Sequence, residues 1–132
     1  YKDPELRSND FKFLRNQLIL NKLDSVDLKK TLDYITDIAN SGDVDAQYHL
    51  SGYYYGRSND KESFKWLYKA ALQGHLIAQN NVGTAYGYGE GVEKDLDKLL
   101  HWKTLAAKGG QETAQRDLVE MHTIGYGVDK NL

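Results

Sequence analysis

Three stretches of this chain copy one another, and that self-similarity restricts its fold more than any other feature. Asp45-Ala46-Gln47-Tyr48-His49-Leu50-Ser51 corresponds to Ile77-Ala78-Gln79-Asn80-Asn81-Val82-Gly83 and to Thr113-Ala114-Gln115-Arg116-Asp117-Leu118-Val119. The anchor alanines 46, 78 and 114 lie 32 and then 36 residues apart. Eight residues after each anchor stands Tyr54, Tyr86 or His122, and the last two copies continue into a Gly-x-Gly-Val turn, Gly89 to Val92 and Gly125 to Val128. A second half follows, with Trp66, Ala70-Ala71 and Gly74 in one copy and Trp102, Ala106-Ala107 and Gly110 in the next. A leading half-copy places Tyr34 in the Trp position, then Ala39 and Gly42, and ends at Ala46. Periods of this length belong to helical solenoids, whose units bury their apolar faces only against neighbouring units.

Each unit reads as two antiparallel helices. Ala46, Leu50, Tyr53 and Tyr54 fall within about 100° of arc on a helix, as do Ala78, Val82, Ala85 and Tyr86, giving each first helix one apolar stripe. The second helix covers it with Phe64, Leu67, Ala70 and Ala71, or with Leu96, Leu99, Leu100, Ala106 and Ala107. Gly83, Ala70 and Ala106 allow close approach of helix axes, while Trp66 and Trp102 fill the wider gap between stacked hairpins. Gly74, Gly110 and the glycines after Tyr86 are helix stops. The expected fold is all-α, a right-handed α-α superhelix of stacked antiparallel hairpins. It forms one domain over 1–132: a degenerate leading repeat or cap at 1–42, repeats at 43–77 and 78–113, and a truncated repeat at 114–132. Within the leading unit, Phe11, Phe13, Leu14, Leu18 and Ile19 suit a helix from about 9 to 21, and Asp27 or Ser25 caps the next, which carries Leu28, Leu32, Ile35 and Ile38.

The unit A-x-x-x-L-G-x-x-Y-x-x-G-x-G-V-x-x-D-x-x-K-x-x-x-W-x-x-x-A-A-x-x-G-x-x-x-A resembles the Sel1-like repeat, a relative of the tetratricopeptide repeat. Ala78, Val82-Gly83, Tyr86, Gly89, Gly91-Val92, Asp95, Lys98, Trp102, Ala106-Ala107, Gly110 and Ala114 match it nearly whole, and with the neighbouring copies the resemblance covers about residues 28 to 132. The first unit departs by losing four residues in its turn, at Gly56-Arg57-Ser58-Asn59, and by carrying Ser51 for the family Gly. The third has Val119 there and His122 for Tyr, and it stops at Leu132 before a second helix, leaving Leu118, Val119 and Met121 uncovered. We expect either further helices beyond Leu132 or burial of this end in a contact, including self-association. The start at Tyr1, without an initiator Met, likewise points to a native start upstream.

Charge and composition narrow the function classes. The net charge is -2, and residues 1–42 carry seven charges of each sign, 43–77 four of each, so no basic stripe exists to neutralise phosphates and no nucleic-acid partner is expected. The absence of Cys removes disulfides, thiolate nucleophiles and cysteine metal ligands. No apolar run approaches the ~18 residues of a membrane span, so no membrane insertion is expected.

Features that resemble chemistry have structural explanations. Gly87-Tyr88-Gly89-Glu90-Gly91 looks like a phosphate loop, but no strand precedes it and it recurs as Gly125-Tyr126-Gly127, as a turn would. His49, His75, His101 and His122 show no metal-ligand spacing, so no metal is expected. Glu90, Glu93, Asp95 and Asp97 cluster where a helix begins and complement its dipole. No Ser stands in a nucleophile elbow, and we expect no catalytic residue and no cofactor.

What remains is a surface. Opposite the packing stripe the first helices bear Asp45, Tyr48, Gly52 and Tyr55; Ile77, Asn80, Thr84 and Gly87; Thr113, Arg116, Glu120 and Thr123. Resemblance to tetratricopeptide-type arrays implies that these rows line a concave groove. We take Tyr48, Tyr55, Asn80, Thr84, Arg116, Glu120 and Thr123 as its partner-binding residues, because aromatics offer contact area at low entropy cost and Asn and Arg hydrogen-bond a peptide. The expected function is a non-catalytic scaffold, adaptor or regulator holding a protein or extended peptide. The alternatives are an immunity or inhibitor protein capping one toxin or effector, and a cell-wall-related hydrolase. Some secreted Sel1-like proteins are linked to β-lactam binding or hydrolysis, but those are disulfide-rich and this chain is not.

Overall fold

The structure, a computed structural model, describes residues 25–125. The expected helix at 9–21, the start at Tyr1 and the last turn residues Tyr126, Gly127 and Val128 lie outside the described residues. Among the described residues there are six helices and no strand: α1 (Ser25–Asn40), α2 (Val44–Tyr55), α3 (Asp60–Leu72), α4 (Leu76–Tyr88), α5 (Leu96–Lys108) and α6 (Glu112–Ile124). Each packs chiefly on its neighbours in sequence, which makes the molecule an α-solenoid with α2–α3 and α4–α5 as its two complete hairpins.

The corner between one hairpin and the next is built identically three times. Gly42, Gly74 and Gly110 take φ of 104°, 93° and 99°, a left-handed conformation open to a residue without Cβ. The side chain of the next residue, Asp43, His75 or Gln111, then caps the new helix by accepting from the backbone N–H of Ala46, Ala78 or Ala114 at 2.9, 3.1 and 2.6 Å. One residue after each of these alanines, Gln47, Gln79 and Gln115 donate through Nε2 to the carbonyls of Ala39, Ala71 and Ala107 at 3.0, 3.2 and 3.0 Å. These carbonyls belong to the last turn of the preceding helix, where each also accepts from the corner glycine N–H, at 3.1, 3.0 and 3.0 Å, so the Gln supplies a second hydrogen bond.

Apolar packing follows the stripes. Ile35, Ile38 and Ala39 of α1, Ala46 and Leu50 of α2 and Trp66 of α3 form one cluster, with Leu28, Leu32 and Tyr34 packed against it. A second joins Leu67, Ala70 and Ala71 of α3, Ala78, Val82 and Tyr86 of α4, Leu99 and Trp102 of α5 and Met121 of α6. Each Trp thus reaches back across the hairpin boundary, and Trp102 meets Tyr68 edge-on at 5.6 Å between ring centroids. At Gly83 a Cβ would stand 2.8 Å from Lys103 Cγ and 3.2 Å from the Leu99 carbonyl, so α4 and α5 approach too closely for a side chain there. The first hairpin replaces Gly83 and Leu99 by Ser51 and Ser63, both buried, and Ser63 Oγ donates to the Ser51 carbonyl at 2.8 Å. Two small polar side chains thus join α2 and α3 at this point. On α6, Met121 is buried while Val119 is 67% exposed.

The turns differ by three residues, and α4 runs one residue longer than α2. In the second hairpin the connection 89–95 lets Gly91, at φ 74°, seat against the backbone of Asp60 in the preceding hairpin. The first hairpin closes in 56–59, and Ser58 is driven to φ 58°. Two substitutions separate these costs. Gly91→Ala adds a Cβ that collides with the Asp60 carbonyl in a left-handed conformation, and should lower stability by about 2–3 kcal/mol. Ser58→Gly relieves a left-handed residue and should raise stability by about 0.5–1 kcal/mol, net of the larger entropy of unfolded Gly. Urea denaturation of both variants checks the opposite signs.

Candidate functional site

The space between α2 and α4, floored by α3, opens as a cavity of about 630 Å³. Its walls carry Tyr48, Gly52 and Tyr55 from α2 and Asn81, Thr84 and Ala85 from α4, with Ser63, Phe64 and Leu67 from α3 beneath and Arg57, Asp60 and Glu90 around it. Tyr48 is held by stacking on His75, with ring centroids 4.4 Å apart and planes 24° from parallel. Tyr55 is 60% exposed, and the Arg57 guanidinium lies 3.7 Å from the centre of the Tyr53 ring. Gly52 is exposed and nothing lies within 4 Å of where its Cβ would be, so this helix face is open.

One hairpin later the equivalent space is filled. Lys103 corresponds to Leu67, Asn80 to Tyr48, Thr84 to Gly52 and Asp117 to Asn81. The Lys103 ammonium donates to Asn80 Oδ1 at 3.0 Å, Thr84 Oγ1 at 2.8 Å and Asp117 Oδ2 at 2.7 Å, so its three protons meet three acceptors. The Lys103 side chain is only 6% exposed, that of Asp117 34%. A buried ammonium needs such company, because desolvation otherwise opposes the charge. This cluster ties α4, α5 and α6 together.

The expected groove residues therefore divide. Tyr48, Tyr55 and Thr84 line the cavity. Asn80 is buried and engaged by Lys103, so its amide oxygen is turned inward. Arg116, Glu120 and Thr123 are exposed on α6 and do not line the cavity. Residues that the helical-wheel reading passed over, Asn81, Arg57, Asp60 and Glu90, stand around it instead. Asp60 and Glu90 sit at helix starts and turns, where the sequence shows a dipole partner rather than a wall. Alignment of the units does expose Lys103 and Asp117, since a Leu and an Asn stand in the other copy.

Nearby, the Tyr54 phenol is pushed above its ordinary value of 10.0 by burial and by the carboxylate of Glu62, with smaller contributions from Tyr53 and Asp33. Among the described residues no group of three or more His, Asp or Glu side chains is placed to hold a metal, and no helix is long and apolar enough to cross a membrane. The expected dipole role fits Asp95, which caps α5 by accepting from the Lys98 N–H at 3.1 Å, and Asp97 in its first turn.

The Sel1 repeat model matches this chain at residues 44–75 and 76–111. Chitin synthase regulatory factor 3 of Schizosaccharomyces pombe is 32% identical over 98 residues, covering 70% of this chain and 10% of its own length. Among solved structures, a protective antigen present in uropathogenic Escherichia coli strains and displaying an SLR fold superposes with a TM-score of 0.74 at 29% identity, over 92% of this chain and 27% of that one. A Sel1 repeat protein from Oxalobacter formigenes superposes with a TM-score of 0.75 at 24% identity, over 94% and 52% of the two chains. The chain thus spans a tenth to about half of the relatives it matches.

The Lys103 cluster makes a signed prediction. Asp117→Ala strands the ammonium and should cost about 1–3 kcal/mol, reduced from the fully buried case because Asp117 is a third exposed. Adding Lys103→Met to Asp117→Ala should restore much of that loss, since the stranded charge is gone. A double-mutant cycle in urea measures the coupling, and additive effects would show that the cluster does not hold α6.

Proposed function

Because the chain belongs to the Sel1 repeat family, we propose that it is a non-catalytic interaction module that works as scaffold, adaptor or regulator and holds a protein or extended peptide along the concave face of α2, α4 and α6. Sel1 repeats are generally protein-interaction modules. The observation that carries the finer reading is the open cavity between α2 and α4, walled by Tyr48 and Tyr55. Tyr side chains give large, stiff contact area, and a face that leaves one helical Gly bare accepts an approaching main chain. The name of the fission-yeast relative, a regulatory factor, is in keeping with a regulator that acts by binding rather than by chemistry.

The test compares two sets of exposed substitutions in a pull-down quantified by mass spectrometry. Tyr55→Ala, Arg116→Glu and Thr123→Ala together alter the concave face, whereas Leu72→Ala and Leu105→Ala alter exposed positions on α3 and α5. Partners should be lost with the first set and kept with the second. The reverse pattern would move the binding surface to the outer helices and end this reading. A single stoichiometric partner would select the inhibitor form of the proposal over the adaptor form.

A further inference from the structure

The two hairpins offer the same frame with different contents, and the difference defines what the cavity accepts. In the second hairpin a cation of the chain itself, Lys103, reaches between the first helices and is met by Asn80, Thr84 and Asp117. In the first hairpin that cation is Leu67, the hydroxyl at Thr84 is replaced by Gly52, and Asn81 stands where Asp117 would. The volume that opens is about 630 Å³, within the ~300–1,000 Å³ of sites that enclose a ligand. Tyr48, Tyr55, Phe64 and Leu67 make it apolar inside.

Its mouth is acidic. Gly91 seats on the Asp60 backbone, which brings the 89–95 turn and Glu90 beside the start of α3. Asp60 and Glu90 are both half-buried, both line the cavity, and neither carboxylate has a side-chain hydrogen bond or ion pair among the described residues. The cation on the same wall, Arg57, lies over Tyr53. Half-buried carboxylates beside an apolar wall attract a cation more strongly than solvated ones do. The Asn81 amide, also lining the cavity, offers a donor and an acceptor to a main chain.

Resting on the concave-face reading above, we infer that this cavity binds an extended segment of a partner protein in which an aromatic side chain is flanked by Lys or Arg. The aromatic enters between Tyr48 and Tyr55, the basic side chains meet Asp60 and Glu90, and the main chain passes over Gly52 within reach of Asn81.

The probe is an acetylated, amidated pentapeptide with a central Phe between two Lys, titrated into the nitrogen-15-labelled chain. Shifts should concentrate at the amides of Gly52, Asn81 and Glu90. Affinity should fall by about tenfold or more when Lys is changed to Glu in the peptide, when Phe is changed to Ala, or in the Asp60→Asn, Glu90→Gln variant. Gly52→Leu fills the cavity from a helical position that gains propensity by losing Gly, so circular dichroism should be unchanged while binding disappears. Equal binding of the Glu peptide or the Ala peptide, or undiminished binding by Gly52→Leu, would overturn the inference. Should the pentapeptide leave the cavity amides unmoved while partners are still lost with Tyr55→Ala, Arg116→Glu and Thr123→Ala, the basic aromatic segment is wrong and the concave-face reading survives. Loss of neither fails both.

Discussion

The corner hydrogen bond from Gln47, Gln79 and Gln115 to the carbonyl eight residues back is the contact on which the rest of the stack depends. A solenoid has no long-range closure, so errors in the angle between units would accumulate along it. Each corner removes that freedom within a few residues: the Gln adds a second hydrogen bond to a helix-end carbonyl that the corner glycine already engages, and the capping side chain satisfies a helix-start N–H. The alanine between cap and Gln is fully buried in all three copies, which holds the new helix close against the old one. Gln73 extends the arrangement across a hairpin, donating to the Gly42 carbonyl at 2.9 Å and to Gln47 Oε1 at 2.8 Å. The first two corners are therefore linked to each other as well as to their own helices.

A frame fixed this firmly can vary its contents at little risk. Leu67 and Lys103 occupy equivalent places, yet one leaves a cavity with an unengaged Asn81 above it, and the other closes the space with a satisfied ion cluster. The same logic governs the Ser51 and Ser63 pair against Gly83 and Leu99: a hydrogen bond joins the two helices at the place where the second hairpin packs a bare glycine against a backbone carbonyl. The varied contents thus occupy positions that the repeat pattern does not use, and they differ between two units of one chain.

The fold was legible because packing residues repeat. Ala46, Leu50, Ala78, Val82, Trp66 and Trp102 are buried as their spacing requires, and the corner glycines take the left-handed conformation that a helix stop needs. The site was less legible, because a helical wheel assigns a direction to each residue but not what lies in that direction. Asn80 points from α4 as the wheel places it, and a Lys from α5, 23 residues away, covers it. Asp60 and Glu90 were hidden for another reason: their local sequence explains them completely as helix-start and turn residues, and only the seating of Gly91 on the preceding unit brings them to one opening.

That seating also sets how many repeats the cavity requires. The floor of the cavity comes from α3 and one wall from α2, but the other wall and one of its two carboxylates come from α4 and the turn after it. A single hairpin therefore holds only part of the cavity lining, and the rest arrives when the next unit stacks. The three-residue difference between the turns has a direction as well. A connection as short as 56–59 has no residue equivalent to Gly91, so the first hairpin cannot reach back onto α1 as the second reaches back onto α3. Turn length thus decides which unit boundary carries an acidic mouth, independently of the helices that hold the stack together.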